Sequence, residues 1–489
     1  MDKILSLLIF LPILSAVLLY LLPLNVRITR SISLSVTLIT TALSLWMYTH
    51  FEASPHMQFV EDYAWIKEYG ISYHIGIDGI SLIIVMMTNL VMPLLYLSFW
   101  NLDRKGYWLN LLIVHGGLTG AALALDLILF YLFWETMLLP IFFLIGLFGH
   151  NTNKDFMSMK FTLYTIFGSL LMLLAILYLG YSSFAQTQVW SFSVSELQTL
   201  HLDETTTLLL FGAFLFAFAI KIPLFPFHTW LPQTYNASPI GAIVVMSALM
   251  AKLGVYAIWR FVFTLFEPLA VQSAYFFVSL GLFGMIYFGI AAIRQNELKK
   301  LFAYSSASHL SLVIMGLFAF NYYAHLGAFY MVASHALSSA ALFMMIGMIY
   351  KRTQDLRIDS LGGIVHQAPV FSAFFAFFAL SIVGIPLTGG FVSELLLIIG
   401  AFKYNVIIGF IAATTLLIAI LFVFKVLQKV LYGAKKDRAF QDLRTYEFLS
   451  LIPLALLILA MGIVPEYFLH KIKPTAQQHI TQEISHVKH

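Results

Sequence analysis

Run after run of this chain exceeds the ~18 consecutive apolar residues that cross the hydrocarbon core of a bilayer, and the runs recur along the whole sequence. In hydrocarbon every backbone N–H and C=O must find a partner within the protein, so helix is the default conformation for each run. The runs near 4–22, 28–49, 79–100, 108–125, 127–148, 158–180, 206–228, 239–265, 270–293, 301–320, 323–350, 369–402, 405–432 and 447–469 predict about fourteen transmembrane helices. The division at Asp126 rests on one charged residue between two nearly continuous runs. Only 10% of the 489 residues are charged and 61% are hydrophobic, against about a quarter charged in a soluble domain. The expected fold class is therefore an all-α integral membrane protein.

Several function classes fall away at once. With no cysteine in the chain, disulfides, thiolate zinc sites and cysteine-ligated iron–sulfur clusters are excluded. No basic block with interleaved aromatics supports nucleic-acid binding. The opening run ends in Leu21-Leu22-Pro23-Leu24 without a small-residue cleavage site, so it is expected to stay as the first helix rather than leave as a signal peptide. With that N-terminus outside, 17 of the 27 lysines and arginines fall on one set of loops and seven, Arg260 among them, on the other. Lys221, Lys252 and Lys425 fall within apolar runs. The positive-inside rule then places both termini, the 50–78 segment and the 181–205 connection on the outer, periplasmic face.

Two runs carry the same punctuation. One reads Ile222-Pro223-Leu224-Phe225-Pro226 and the other Ile385-Pro386-Leu387-Thr388-Gly389-Gly390, 163 residues later. Proline removes a backbone donor and clashes with the preceding turn, so both helices are expected to break near mid-membrane. Five helices per unit would invert the second copy relative to the first, the construction many transporters use for a substrate path. The chain divides accordingly into helices 1–3 (1–107), a first repeat (108–265), an inverted second repeat (266–432) and a C-terminal helix with tail (433–489).

Six ionisable groups sit where charge is expensive: Glu135, Lys221, Lys252, His309, His335 and Glu394. An ionised side chain at a helix centre costs roughly 2.5–3.5 kcal/mol, so these groups are expected to face one another or internal water, and to mark an ion path. Glu135 and Lys221 are natural partners. A nearby carboxylate favours the ammonium and desolvation the neutral amine, and the balance sets the lysine's proton occupancy; a static ion pair clamping two helices is the alternative. Lys252 lies too deep to snorkel, whereas Lys425 is close enough to the basic edge to do so. Each histidine alone reads more readily as a satisfied hydrogen-bonding group, but two on adjacent helices suit a proton relay. Bis-histidine haem ligation and a metal site are the competing readings, and no third metal ligand stands at a recognisable spacing. Glu394 follows the second break, where freed backbone groups can hold water. His228 and Trp230 beside the first break read equally as structural or gating. Asp78 reads as a helix N-cap. His115 and Asp126 remain unassigned.

The stretch Lys221-Ile-Pro-Leu-Phe-Pro-Phe-His-Thr-Trp-Leu-Pro232 resembles the signature of the antiporter-like membrane subunits of respiratory complex I. So do Phe133-Trp134-Glu135, Glu297 to Ser306, and Ser334 to Phe343. The resemblance spans roughly 75–430 and implies proton-channel roles for Glu135, Lys221, Lys252, His309 and Glu394, with His335 nearby. Within the family the acidic residue at 394 is similar to the M type of NADH–quinone oxidoreductase, where L and N types and sodium/proton antiporter subunits place lysine. Ala336 stands where the family often has glycine. The resemblance further implies a cytoplasmic (inner) membrane location, L-type, N-type and small membrane subunits as neighbours, and a lipid bilayer around them. NADH, FMN, iron–sulfur clusters and quinone are expected in partner subunits and no cofactor in this chain. A sodium/proton antiporter or membrane-bound hydrogenase subunit is the rival reading.

Overall fold

The computed structural model describes residues 3–150, 152–436 and 438–486, with side chains to 477. Its helices are α1 (Ile4–Leu21), α2 (Val26–His50), α3 (Gly79–Ser98), α4 (Lys105–Leu123), α5 (Leu127–Phe148), α6 (Lys154–Thr187), α7 (Glu204–Lys221), α8 (Leu231–Ala237) and α9 (Ile240–Leu265). They continue with α10 (Ala274–Arg294), α11 (Leu298–Phe318), α12 (Tyr322–Thr353), α13 (Pro369–Ile382), α14 (Gly389–Tyr404), α15 (Val406–Leu431), α16 (Thr445–Ile463) and α17 (Pro465–His486). Among the described residues, 12 helices are long and apolar enough to cross a membrane. The shortfall from the expected number has a physical source. The glycines, Asn110 and His115 dilute the hydropathy of α4, and the 369–402 run breaks into α13 and α14.

Short polar side chains start many of these helices by accepting from otherwise orphaned N–H groups. Asn25 caps α2, Asp78 caps α3, Asp126 caps α5, Asp203 caps α7, Glu297 caps α11, Asn321 caps α12 and Asn405 caps α15. Asp126 also accepts from Ser72 N at 3.2 Å, so its role is capping.

Burial separates an inner from an outer set. The apolar stretches of α9 and α12 are wholly buried, and α3 and α11 nearly so, whereas α1, α2, α15 and α16 expose most of theirs. Leu163, Phe167, Leu417 and Leu421 point outward, as expected where lipid is the solvent. Without a hydrophobic drive between helices, close approach of small residues holds the bundle. Gly281 and Gly284 of α10 lie against Ser311 and Met315 of α11, and Gly400 of α14 lies against Ala324 of α12.

Three departures from the sequence reading concern the edges. The 50–78 connection is a β-hairpin, with β1 (Gln58–Ile66) antiparallel to β2 (Ile71–Ile77). Its turn residue Gly70 has φ +61°, and alternating Tyr, Trp and Ile favour the extended pleat. The C-terminal run ends at Ile463, and much of what was read as tail forms α17, packed on α3 and α12. Two cations assigned to loops are buried. Arg260 pairs with Asp78 and with the Tyr256 hydroxyl at 3.0 Å, and Lys299 donates to the Ser238 carbonyl at 2.9 Å.

Candidate functional site

Both proline-marked helices break. At the first, α7 stops at Lys221 and the chain turns through 222–230 before α8. Leu224 N reaches back to Ala219 O at 2.9 Å, and the Trp230 indole donates to the Ile220 carbonyl at 3.1 Å. Trp230 therefore satisfies a backbone acceptor that the break released, a structural role. His228 is buried among Phe225, Tyr287 and Phe288. The Lys221 ammonium is buried without a hydrogen-bond partner. It lies 4.8 Å from the centroid of the Trp134 ring, whose quadrupole attracts a cation. Glu135 is the next residue on α5; its Oε1 is buried and unpartnered, and Ser169 of α6 lies beside the carboxylate.

Gly254 joins this break to the next lysine. A Cβ there would fall 2.7 Å from Ile222 and 3.5 Å from the Lys221 Cβ, so α9 touches the break two residues from Lys252. A π-helical turn spans Val245–Met250, and Lys252 Nζ donates to the Ser247 carbonyl at 2.5 Å. The lysine thus finds its acceptor within its own helix. A π-turn loosens the α ladder and exposes an acceptor in mid-helix, which no apolar pattern announces. Ser247 Oγ in turn faces Ser306 Oγ of α11 at 3.4 Å.

At the second break α13 ends at Ile382 and α14 begins at Gly389. The His309 and His335 rings lie 5.1 Å apart, centroid to centroid. His309 Nδ1 meets the Ser305 carbonyl at 2.8 Å, and its Nε2 lies 3.3 Å from Glu394 Oε1. Both nitrogens of His335 are buried without a partner, and Lys252 and His309 are the titratable side chains that neighbour it. These rings, Ser334, Ser338, Ser381, Ser393 and Glu394 surround a cavity of about 10 Å³, room for roughly one water. A porphyrin does not fit in that space. Among the described residues no group of three His, Asp or Glu is arranged to hold a metal ion.

Other groups lie apart. Lys425 donates to the Ile293 and Gln295 carbonyls at 2.8 and 2.7 Å, ending α10 as a snorkelling lysine can. His115 is buried against Asn89, 3.0 Å away, and His325 against the Leu317 carbonyl at 2.7 Å. Sequence reasoning missed Gly384. It has φ +73°, and a Cβ on it would fall 2.4 Å from Glu394 Oε2, so glycine both makes the turn and leaves room for the carboxylate. It missed the serine lining as well, for which hydroxyls clustered around a mid-membrane proline were the available signal.

The chain matches, over residues 124–425, the family described as NADH:quinone oxidoreductase/Mrp antiporter, TM. It is 34% identical over 500 residues to the NADH-quinone oxidoreductase subunit M of Rhodobacter capsulatus, covering 99% of this chain and 97% of the relative. It is also 34% identical over 473 residues to the NADH-ubiquinone oxidoreductase chain 4 of Marchantia polymorpha, covering 95% and 94%. A chain of Thermus thermophilus respiratory complex I superposes with a TM-score of 0.89 at 27% identity, over 98% of this chain and 99% of that one. A chain of the Mrp complex from Dietzia has the same fold, with a TM-score of 0.89 at 20% identity and 98% coverage of both.

Proposed function

Because the chain belongs to the NADH:quinone oxidoreductase/Mrp antiporter transmembrane family, we propose that it is the M-type proton-translocating membrane subunit of an NADH–quinone oxidoreductase. The observation that carries this reading is a succession of buried ionisable groups without hydrogen-bond partners between the two breaks: Lys221, His335 and Glu394 Oε2, with Glu135 Oε1 before them. Unsatisfied polar atoms at this depth are costly unless water or a proton visits them.

In the proposed mechanism a charge change in a neighbouring subunit alters the hold of Glu135 on Lys221. The ammonium then loses its balance and gives its proton toward Lys252 across the contact at Gly254. Lys252 is held at Ser247 until its proton moves to His335, which stands beside both Lys252 and His309. The two rings exchange a proton through one cavity water, and Glu394 takes it for release. In this reading His335 stands within the path, between Lys252 and His309. The two repeats, 108–265 and 266–432, supply one break each. Release on the hairpin face, with both termini there and the cytoplasmic membrane around the bundle, completes the reading.

The redox groups, NADH, FMN, iron–sulfur clusters and quinone, belong to partner subunits in this account, and L- and N-type subunits flank the chain. The chain's own residues hold and move protons. Replacing Lys221→Ala in the assembled complex is expected to lower NADH-driven proton pumping at least tenfold, the equivalent of ~1.4 kcal/mol in the limiting step. Unchanged pumping would mean a scaffold that lengthens a membrane arm. Co-purification checks the assembly: NADH dehydrogenase subunits are expected, and antiporter or hydrogenase subunits alone would reassign the chain.

A further inference from the structure

On another face of α12 from the relay cavity lies a separate cavity of about 350 Å³, walled by α2, α3, α12, α16 and α17. It runs along α3 from Gly79 to Leu90. At 1.5 Å per residue those eleven steps cover about 16 Å, roughly half of a ~30 Å hydrocarbon core and so the depth of one leaflet. Met86, Met87 and Leu457 line the body, which is almost wholly apolar; Tyr48, Thr49 and Lys471 gather at the end nearest the hairpin face.

That end carries a cation with no counter-ion among the described residues. Lys471 Nζ donates to the Phe51 carbonyl and lies 5.3 Å from the centroid of the Tyr48 ring. Among the described residues no carboxylate is within ion-pair distance of it, whereas Lys473, two residues on, is paired with Glu466 at 2.5 Å. An ammonium has three donors, and here they stand at the mouth of a leaflet-deep apolar slot beside two tyrosines, Tyr48 and Tyr467, of the kind that favour a membrane interface.

We infer that this cavity holds one acyl chain of an anionic phospholipid whose phosphate meets Lys471. A water-filled slot this apolar would be unfavourable, and a neutral headgroup would leave the lysine unmatched. The wall has a second side. Tyr330 and Ala333 of α12 face the slot, while Ser334 and His335 on the same helix line the relay cavity. Tyr330 also donates to the Met461 carbonyl at 2.6 Å, and Met461 packs on Gly389, the first residue of α14. The acyl chain thus backs the wall that sets the spacing of His335 and Glu394. The inference stands without the proton-relay reading, since its test scores lipid contact and not pumping.

The test uses the assembled complex in phosphatidylcholine vesicles containing a trace of phosphatidylglycerol with a photoactivatable group in its acyl chain. Cross-links are mapped to peptides, with photoactivatable phosphatidylcholine as the control. Labelling at Met86, Met87 or Met461 is expected to favour phosphatidylglycerol. Lys471→Gln should lower that labelling about fivefold, the effect of one basic residue at a membrane surface, and leave phosphatidylcholine labelling unchanged. Met87→Trp, which fills the slot, should abolish labelling by both. Equal labelling by the two lipids, indifference to Lys471→Gln, or cross-links from the slot to another subunit instead of lipid would each overturn the inference.

Discussion

The two helix breaks share the word Ile-Pro-Leu and differ in what they surround. The first, after Lys221, is closed by aromatic rings: Trp134 faces the ammonium, Trp230 occupies the freed carbonyl and His228 sits among Phe225, Tyr287 and Phe288. The second, before Glu394, is lined by serine hydroxyls and two imidazoles around a cavity. One break isolates a charge and the other dissolves it. The difference suggests a division of labour, in which the dry break responds to an outside charge and the polar break passes the proton on.

That contrast can be broken from either side. The largest effect is expected from Glu394→Gln, which removes the carboxylate that lines the polar break while keeping its shape. Proton pumping by the assembled complex should fall at least tenfold, ~1.4 kcal/mol, and pumping at the wild-type rate would show that the acid is dispensable. Gly384→Ala should come next. Positive φ alone costs alanine ~1 kcal/mol, and the added Cβ displaces the Glu394 carboxylate. A several-fold loss of pumping with a lower thermal midpoint is expected, and a change in stability alone would separate the turn from the relay. The smallest effect on transport is expected from Trp230→Phe at the dry break. It leaves the Ile220 carbonyl unsatisfied at ~1–3 kcal/mol, so stability in detergent should drop while pumping per assembled complex holds. Loss of pumping without loss of stability would make Trp230 a gate after all.

Much of the bundle was legible because helix is the default in hydrocarbon and proline writes its own break. Lys221, Lys252, His309, His335 and Glu394 could be marked from the sequence because charge is rare and expensive at that depth, and the structure brings His309, His335 and Glu394 to one cavity. What hydropathy could not show was the pairing of Arg260 with Asp78. Arg260 lies near a helix end, where a cation reads as exposed, and its partner lies 182 residues away. The π-turn that gives Lys252 an acceptor was invisible for another reason, since π and α turns share one apolar pattern. Gly384 reads as an ordinary glycine until its φ and the carboxylate beside it are known.

Lys252 links the first break to the histidines of the second, and it tests the central claim most directly. In vesicles containing the assembled complex, the ratio of protons moved to electrons passed should be measured for Lys252→Met, which keeps the length of the side chain and removes its charge. The account predicts a lower ratio with electron transfer still running or slowed, because the breaks are then disconnected. An unchanged ratio would contradict a path that runs from Lys221 through Lys252 to Glu394.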